Sequence, residues 1–343
     1  MLRLADNLAD LTALRDHDAL DHALVSAMHD VLQPQSTAIY RAVGEAGGER
    51  WLTSAHLTAG QATSRSDRIE SGLDALPRPS DRALRSKAVA SRQMQQTGGT
   101  PCVTVFPLDA GVGAVGALEI ATPEPLSEAS CGLARAILRL YVNIRGLLDD
   151  GERDALTELL NRKTFDGAFL KATVAQQSAA QSSEDERRGP VASGSYWIAM
   201  IDIDHFKRVN DNFGHLIGDE VLLLLARLMR SCFRFYDQLY RFGGEEFVVL
   251  MRCNSELEAA AMLERLRHAT ETHRFPQVGT ISISIGFTKI RTGDTPSAAF
   301  ERADKALYHA KAHGRNQICN FAALIASGAL VDKAVHEGRI ELF

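Results

Sequence analysis

The chain has 343 residues, 45% of them hydrophobic and 24% charged, which is the make-up of ordinary globular protein and excludes disorder throughout. That length is enough for roughly two to three domains. Thirty-eight Lys and Arg against 43 Asp and Glu leave a net charge of −5, so no surplus of positive charge drives binding to a nucleic-acid backbone.

Cys102, Cys131, Cys232, Cys253 and Cys319 are scattered, odd in number and without CxxC or Cys/His metal spacing, and read as reduced thiols. The start, Met1-Leu-Arg-Leu-Ala-Asp6, lacks the apolar core of a signal peptide. The richest apolar stretch, 221–229, is too short to span a bilayer and contains Arg227. The expectation is a soluble, cytoplasmic, multidomain protein with neither a membrane nor a nucleic acid as partner.

Residues 1–126 read as a mixed α/β unit. In 9–32, Leu20, Leu24, Met28 and Val31 fall on one helical face. Stretches 37–41 and 51–56 have the pattern of short strands, and 60–96 is polar and interrupted by Pro77 and Pro79. A strand pair, 103–108 and 115–120, follows around Gly111-Val-Gly113. In 127–151, Leu133, Ile137, Leu140, Ile144 and Leu147 recur at steps of four, three, four and three, with Ser127 as N-cap and Glu128 in the first turn. This heptad seam on one continuous helix fits two arrangements: packing on its own domain, or a parallel coiled coil linking two protomers.

Residues 152–320 read as a second α/β unit. Asp154-Ala-Leu-Thr-Glu-Leu-Leu-Asn-Arg-Lys163 opens it, with a helix to about residue 176. A Ser-, Gln- and charge-rich surface loop is expected over 177–194. The near-continuous apolar run 196–203 has the character of a buried central strand. A helix over 221–233 comes next, then strands 239–242 and 247–251 joined at Gly243-Gly244, a helix over 257–270, a strand over 280–287, and a helix over 297–313 stopped by Gly314. Strands interleaved with helices indicate a layered α/β sheet. The tail, 321–343, is mildly apolar and carries no assignment.

Two places carry chemistry. Asp202 leaves the apolar strand at the sheet edge, where ligands bind in α/β folds, and is equally suited to capping or turning the chain. In Arg241-Phe-Gly-Gly-Glu-Glu-Phe247, two glycines signal a tight hairpin with two acidic residues directly after it. Adjacent carboxylates in a partly dry place are costly unless a cation sits between them.

Those strings resemble the GGDEF domain of diguanylate cyclases, with Gly243-Gly-Glu-Glu-Phe247 as its signature. The opening Asp154-x-Leu-Thr-x-Leu-x-Asn-Arg162 is similar to the family's own. So are Asp202-Ile-Asp-His-Phe-Lys-x-Val-Asn-Asp211, Phe213-Gly-His-x-x-Gly-Asp219 and Ala303-Asp-Lys-Ala-Leu-Tyr-x-Ala-Lys-x-x-Gly-Arg-Asn316. In the first unit, Phe106-Pro-Leu-Asp, Val115-Gly-Ala-Leu-Glu-Ile and Leu126-Ser-Glu resemble a GAF domain, a small-molecule sensory fold. The motif of its cyclic-nucleotide-binding members is not recognisable, so heme, a nucleotide, a small metabolite or pure dimerisation remain open for that unit.

The first resemblance implies a palm-like sheet shared with adenylyl cyclases, and condensation of two GTP into cyclic di-GMP with release of pyrophosphate. It implies that Asp202 and Glu245, with the Ile203 carbonyl, bind Mg²⁺ (or Mn²⁺), and that Glu246 lies beside the metals. Asn210 and Asp219 would read the guanine edge, with Phe206, Lys207 and His215 near the nucleotide. Lys311 and Arg315, expected four apart on one helix face, would hold the triphosphate. Arg234-Phe-Tyr-Asp237 matches the family's product-inhibition site, which Arg265 or Arg267 would complete. Since each site holds one GTP, two domains must face each other, which implies a homodimer and favours the coiled-coil arrangement. Glu158 and Ala155 stand where many relatives carry Gly and Pro, a departure expected to affect local turn geometry away from the chemistry. A non-catalytic cyclic di-GMP receptor is the rival reading.

Overall fold

In the computed structural model the chain divides into two compact units, residues 1–152 and 153–343. The structure describes residues 14, 16–44, 47–67, 75–109, 115–185 and 194–331. The start of the first expected helix, the Gly111–Gly113 turn, most of the loop expected after residue 185 and the end of the tail lie outside the described residues. Among the described residues no helix is long and apolar enough to cross a membrane, and all five cysteines are free and buried.

The first unit is an antiparallel sheet with helices on both faces. Helix α1 (His17–Leu32) begins at Asp16, whose carboxylate accepts from the Ala19 N–H at 3.0 Å. Strands β1 (Ser36–Val43) and β2 (Arg50–Thr58) precede helix α2 (Ala83–Ser91), which lies inside the stretch expected to be merely polar. Strands β3 (Gln95–Gln96), β4 (Cys102–Asp109) and β5 (Val115–Thr122) complete a sheet of order β2-β1-β5-β4-β3. The alternation of each strand divides the faces. Phe106, Leu108, Leu118 and Ile120 meet α1 and the long helix α3 (Glu128–Glu152), while Val105 and Ala117 meet Ala88 of α2.

Helix α3 carries the heptad seam. Ile137 and Ile144 are buried in this unit's own core, and Leu133 and Leu140 pack against it. Only Leu147, 73% exposed, is left outward. The seam is therefore an amphipathic face laid on its own sheet as far as Ile144. Helix and sheet are further joined by a buried polar cluster in which Arg41 of β1 and Tyr141 of α3 both donate to Asp21 of α1.

The second unit has a six-stranded sheet of order β11-β10-β7-β9-β8-β6. Its elements are β6 (Leu160–Asn161), α4 (Arg162–Asp185), β7 (Ser195–Ile203), α5 (Phe206–Phe213), α6 (His215–Cys232), β8 (Gln238–Gly243), β9 (Glu246–Cys253), α7 (Glu256–Thr272), β10 (Ile283–Lys289), α8 (Pro296–Ala312), β11 (Ile318–Asn320) and α9 (Phe321–Ala326). Central β7 is apolar from Trp197 to Ile201 because it is covered on both faces. Trp197, Ala199, Ile201 and Ile203 enter one core, and Ile198 and Met200 enter the other.

Three expectations are corrected. Helix α4 continues past residue 176 to Asp185, where Ala179, Ala180 and Gln181 favour helix against the three serines of the stretch. The helix expected over 221–233 starts at His215, behind α5 and Gly214. The unit does not end at residue 320: Phe321 is fully buried in a cluster with Ala306, Ala310 and Cys319. A three-residue strand and a six-residue helix show too little periodicity to be read from sequence.

Candidate active site

Strand β7 ends in Asp202 and Ile203, and in the register with β9 Asp202 stands opposite Glu246. Strands β8 and β9 meet at Gly243 and Gly244, both at positive φ (150° and 51°), so the hairpin delivers Glu245 beside the end of β7. Asp202 is buried, Glu245 half-buried and Glu246 exposed. Lys311 on α8 brings its Nζ to 2.7 Å from Asp202 Oδ2.

Burial pushes the Asp202 carboxyl above its ordinary range; Lys311 opposes this, while Glu246 and Asp204 add to it. Burial, followed by the neighbouring Asp202 charge, raises Glu245 in the same direction against the pull of Lys311. Both carboxyls are raised by burial and by neighbouring negative charge, a cost that a hard cation between them would relieve. Among the described residues no three His, Cys, Asp or Glu side chains converge as a cage. Two carboxylates are a donor number that Mg²⁺ would accept, since that ion keeps part of its shell for water and phosphate oxygens.

The hairpin is held from below. Arg241 donates through Nε and Nη2 to the Gly244 carbonyl (3.1 and 2.9 Å) and through Nη1 to Asp154 Oδ1 (2.9 Å). Asp154 also accepts from the Thr157 N–H and hydroxyl at 2.8 and 2.7 Å. Burial works against ionisation of Asp154, but these bonds outweigh it and hold its carboxyl below the ordinary range. The opening motif, expected to lie away from the chemistry, is therefore wired to the hairpin. Glu158 in that motif has φ of 58°, the left-handed region where a glycine would be unstrained.

Around the junction of α5 and α6 stand most of the expected nucleotide-binding residues. Phe206 is buried at the start of α5, while Lys207, His215 and Asp219 are exposed. Asn210 lies so close over Gly218 that a Cβ there would come within 2.0 Å of Asn210 Oδ1. Glycine at 218 is what lets α6 pass beneath that amide.

Lys311 and Arg315 do not share a helix face. Helix α8 stops at Ala312, and Gly314, Arg315 and Asn316 turn the chain with φ of 106°, 61° and 45°. The exposed Arg315 is fixed instead through its neighbour. Asn316 N–H donates to Asp204 Oδ2 at 3.0 Å, and Asp204 also accepts from the Ser282 and Ser284 hydroxyls at 2.6 and 2.7 Å. Arg267 on α7 donates to Asn316 Oδ1 at 2.7 Å. The sequence signals this scaffold solely by placing Asp204 and Asn316 within the quoted motifs.

The Arg234–Asp237 motif folds onto itself. The Asp237 carboxylate accepts from the Arg234 and Arg252 backbone N–H groups (2.9 and 3.4 Å), and burial pushes its pKa to about 6. The Arg234 guanidinium binds the Tyr236 hydroxyl at 2.8 Å and Glu258 at 2.7 Å. Arg265 donates to the Cys232 carbonyl, and Arg267 is occupied by Glu264, Glu271 and Asn316. The expected inhibitory residues are neighbours whose polar groups are directed at one another and at the backbone.

The end of β7 and the Gly-Gly hairpin thus bring Asp202, Glu245 and Lys311 into one cluster. Residues 152–317 match the family model for the diguanylate cyclase GGDEF domain, and the second unit accordingly carries a GGDEF domain. The diguanylate cyclase DgcP of Pseudomonas aeruginosa is 40% identical over 174 residues, covering 50% of this chain and 25% of that protein. The diguanylate cyclase DgcS of Shewanella oneidensis is 39% identical over 165 residues, covering 48% of this chain and 50% of that protein. The crystal structure of the coiled coil and GGDEF domain of DgcB from Caulobacter crescentus, in complex with c-di-GMP, is 27% identical with a TM-score of 0.48, covering 57% of this chain and 100% of that one. The chain thus spans a quarter to half the length of these two curated relatives.

Proposed function

We propose that this chain is a diguanylate cyclase, joining two GTP into cyclic di-GMP with release of two pyrophosphates. The observation that carries this is the cluster of Asp202, Glu245 and Lys311 at the Gly-Gly hairpin of a GGDEF domain. In each half-reaction the ribose 3′-oxygen of one GTP bonds to the α-phosphorus of the other. The bond from that phosphorus to the pyrophosphate oxygen breaks, and the 3′-hydroxyl proton is lost.

Asp202, Glu245 and the Ile203 carbonyl would hold Mg²⁺ or Mn²⁺, which when bound neutralises phosphate charge and lowers the pKa of the attacking hydroxyl. Glu245 would either accept the proton or hold the ion that lowers the hydroxyl's pKa. Glu246 adds negative charge at the same strand end. Asp219 and Asn210 offer acceptors to the N1–H and N2–H edge of guanine, which adenine cannot match. Lys311 and Arg315 attract the triphosphate, Arg315 from a turn tied to Asp204 through Asn316.

Because one domain holds one GTP, turnover requires two domains facing each other, so the working species is a homodimer. The first unit acts as a GAF-like sensory module, supported by its motifs and its five-stranded antiparallel sheet with helices on both faces. Product inhibition at Arg234 requires its pair with Glu258 to open. The cytoplasm is the compartment where GTP is available.

Purified protein incubated with GTP and Mg²⁺, with cyclic di-GMP and pyrophosphate quantified by chromatography, tests the reading. Wild type is expected to yield both and Glu245→Ala neither. Binding of cyclic di-GMP without any turnover would replace the cyclase with a receptor.

A further inference from the structure

The first unit contains a groove of about 610 Å³ between α3 and the outer half of β4 that the cyclase reading does not use. It exists because β3 is only two residues long and pairs with Val105 and Thr104 alone. Beyond that pairing β4 has no outer strand among the described residues, and residues 132–143 of α3 line the opening. The floor is apolar: Phe106 and Leu138 belong to the core, and Val142 packs against it. Around it stand three guanidiniums, Arg92, Arg135 and Arg139.

None of the three is paired with a carboxylate among the described residues. Arg135 has only the Met94 sulfur, at 3.8 Å. Arg135 and Arg139 are one helical turn apart on α3, where like charges repel. The groove is open on its solvent side, where Arg92, Arg135 and Arg139 are exposed, so a ligand would lie along it rather than be enclosed. Its composition asks for a ligand with an apolar body and an acidic head that guanidiniums can fork.

We propose that this groove binds a small amphipathic anion, an organic carboxylate or phosphate ester. Its apolar body lies along Phe106, Leu138 and Val142, and its head is held by Arg135 and Arg139, with Arg92 opposite. The site is built by the first unit alone and does not rest on the cyclase reading. It gives the sensory module a ligand class. The occupant bears directly on α3, whose last residue, Glu152, immediately precedes the second unit in the chain.

The test uses the full chain and the fluorescent anion 1-anilinonaphthalene-8-sulfonate, titrated at constant ionic strength and displaced by twelve-carbon competitors below their aggregation limits. Dodecanoate or dodecyl phosphate is expected to displace the probe, and a preference between them identifies the head group. Dodecanol and dodecyltrimethylammonium are expected to displace it far less. The double variant Arg135→Gln/Arg139→Gln should weaken dodecanoate binding by about ten-fold or more with unchanged circular dichroism and melting temperature. Equal displacement by dodecanol, or unchanged affinity in the folded double variant, overturns the proposal. The fluorescence readout is independent of turnover, so its failure and a failure of the cyclase reading are distinguished.

Discussion

The ammonium of Lys311 lies 2.7 Å from Asp202 Oδ2, joining the last turn of α8 to the end of β7. Asp202 is only 4% exposed and its acidity is already weakened by burial. Lys311 is thus the counter-charge that makes the buried carboxylate at this strand end tolerable. Lys311→Met is expected to destabilise the metal-free protein by about 1–2 kcal/mol, a value reduced for the partial exposure of the lysine. Melting temperature with and without Mg²⁺ checks this. Added Mg²⁺ should recover more stability in the variant than in the wild type, and equal recovery would show that Lys311 does not act as Asp202's counter-charge.

Gly218→Ala tests the close approach beneath Asn210. The added Cβ would stand 2.0 Å from Asn210 Oδ1, so the amide must swing away. The obstacle is the end of a side chain, and alanine suits a helix better than glycine, so stability should stay near that of the wild type. The KM for GTP should rise by about ten-fold with a smaller change in kcat, since what is lost is nucleotide binding. An unchanged KM would remove Asn210 from the guanine site.

Asp237 supplies a pH dependence. Its folded pKa of about 6 lies above the ordinary 3.8, so the native state holds this proton more tightly than the unfolded chain does. Its favourable contribution is complete below about pH 4 and is lost as the pH rises through 6, a change on the order of 3 kcal/mol. Urea unfolding of wild type and Asp237→Asn across pH 4 to 7 should give a difference that follows this titration. Parallel curves for the two proteins would contradict it.

Glu158 occupies a left-handed conformation with φ of 58°. Glu158→Gly relieves that strain, at the loss of a weak, exposed contact with Arg230 at 4.0 Å. A net gain of about 0.5–1 kcal/mol is expected, after subtracting the greater freedom of glycine in the unfolded chain. Chemical denaturation of the second unit measures it, and a loss of stability would mean that the Arg230 contact outweighs the backbone strain.

Much of the second unit was legible in the sequence because its signals are local. The apolar run of β7, the Gly-Gly hairpin and the helix stopped near Gly314 each announce themselves within a few residues, and they place Asp202, Glu245 and Lys311 on named elements. The anchoring of those residues was not legible. Asp154 with Arg241, and Asp204 with Ser282, Ser284 and Asn316, are bonds between segments far apart in the chain, and no periodicity encodes them.

The heptad seam of α3 shows the same division from the other side. Spacing alone determined that Leu133 through Leu147 would form one apolar stripe on a helix. The stripe is the same whether it covers a sheet or a partner helix, since burial of apolar surface has no direction. Only the tertiary structure decided that Ile137 and Ile144 lie in the first unit's own core and that Leu147 stays outside. It likewise decided that Asp237 faces backbone N–H groups and that Arg315 leaves the helix of Lys311. Composition and local pattern determine which elements form and which residues carry charge or metal-binding groups. Which groups then meet is settled by the packing of elements distant in sequence.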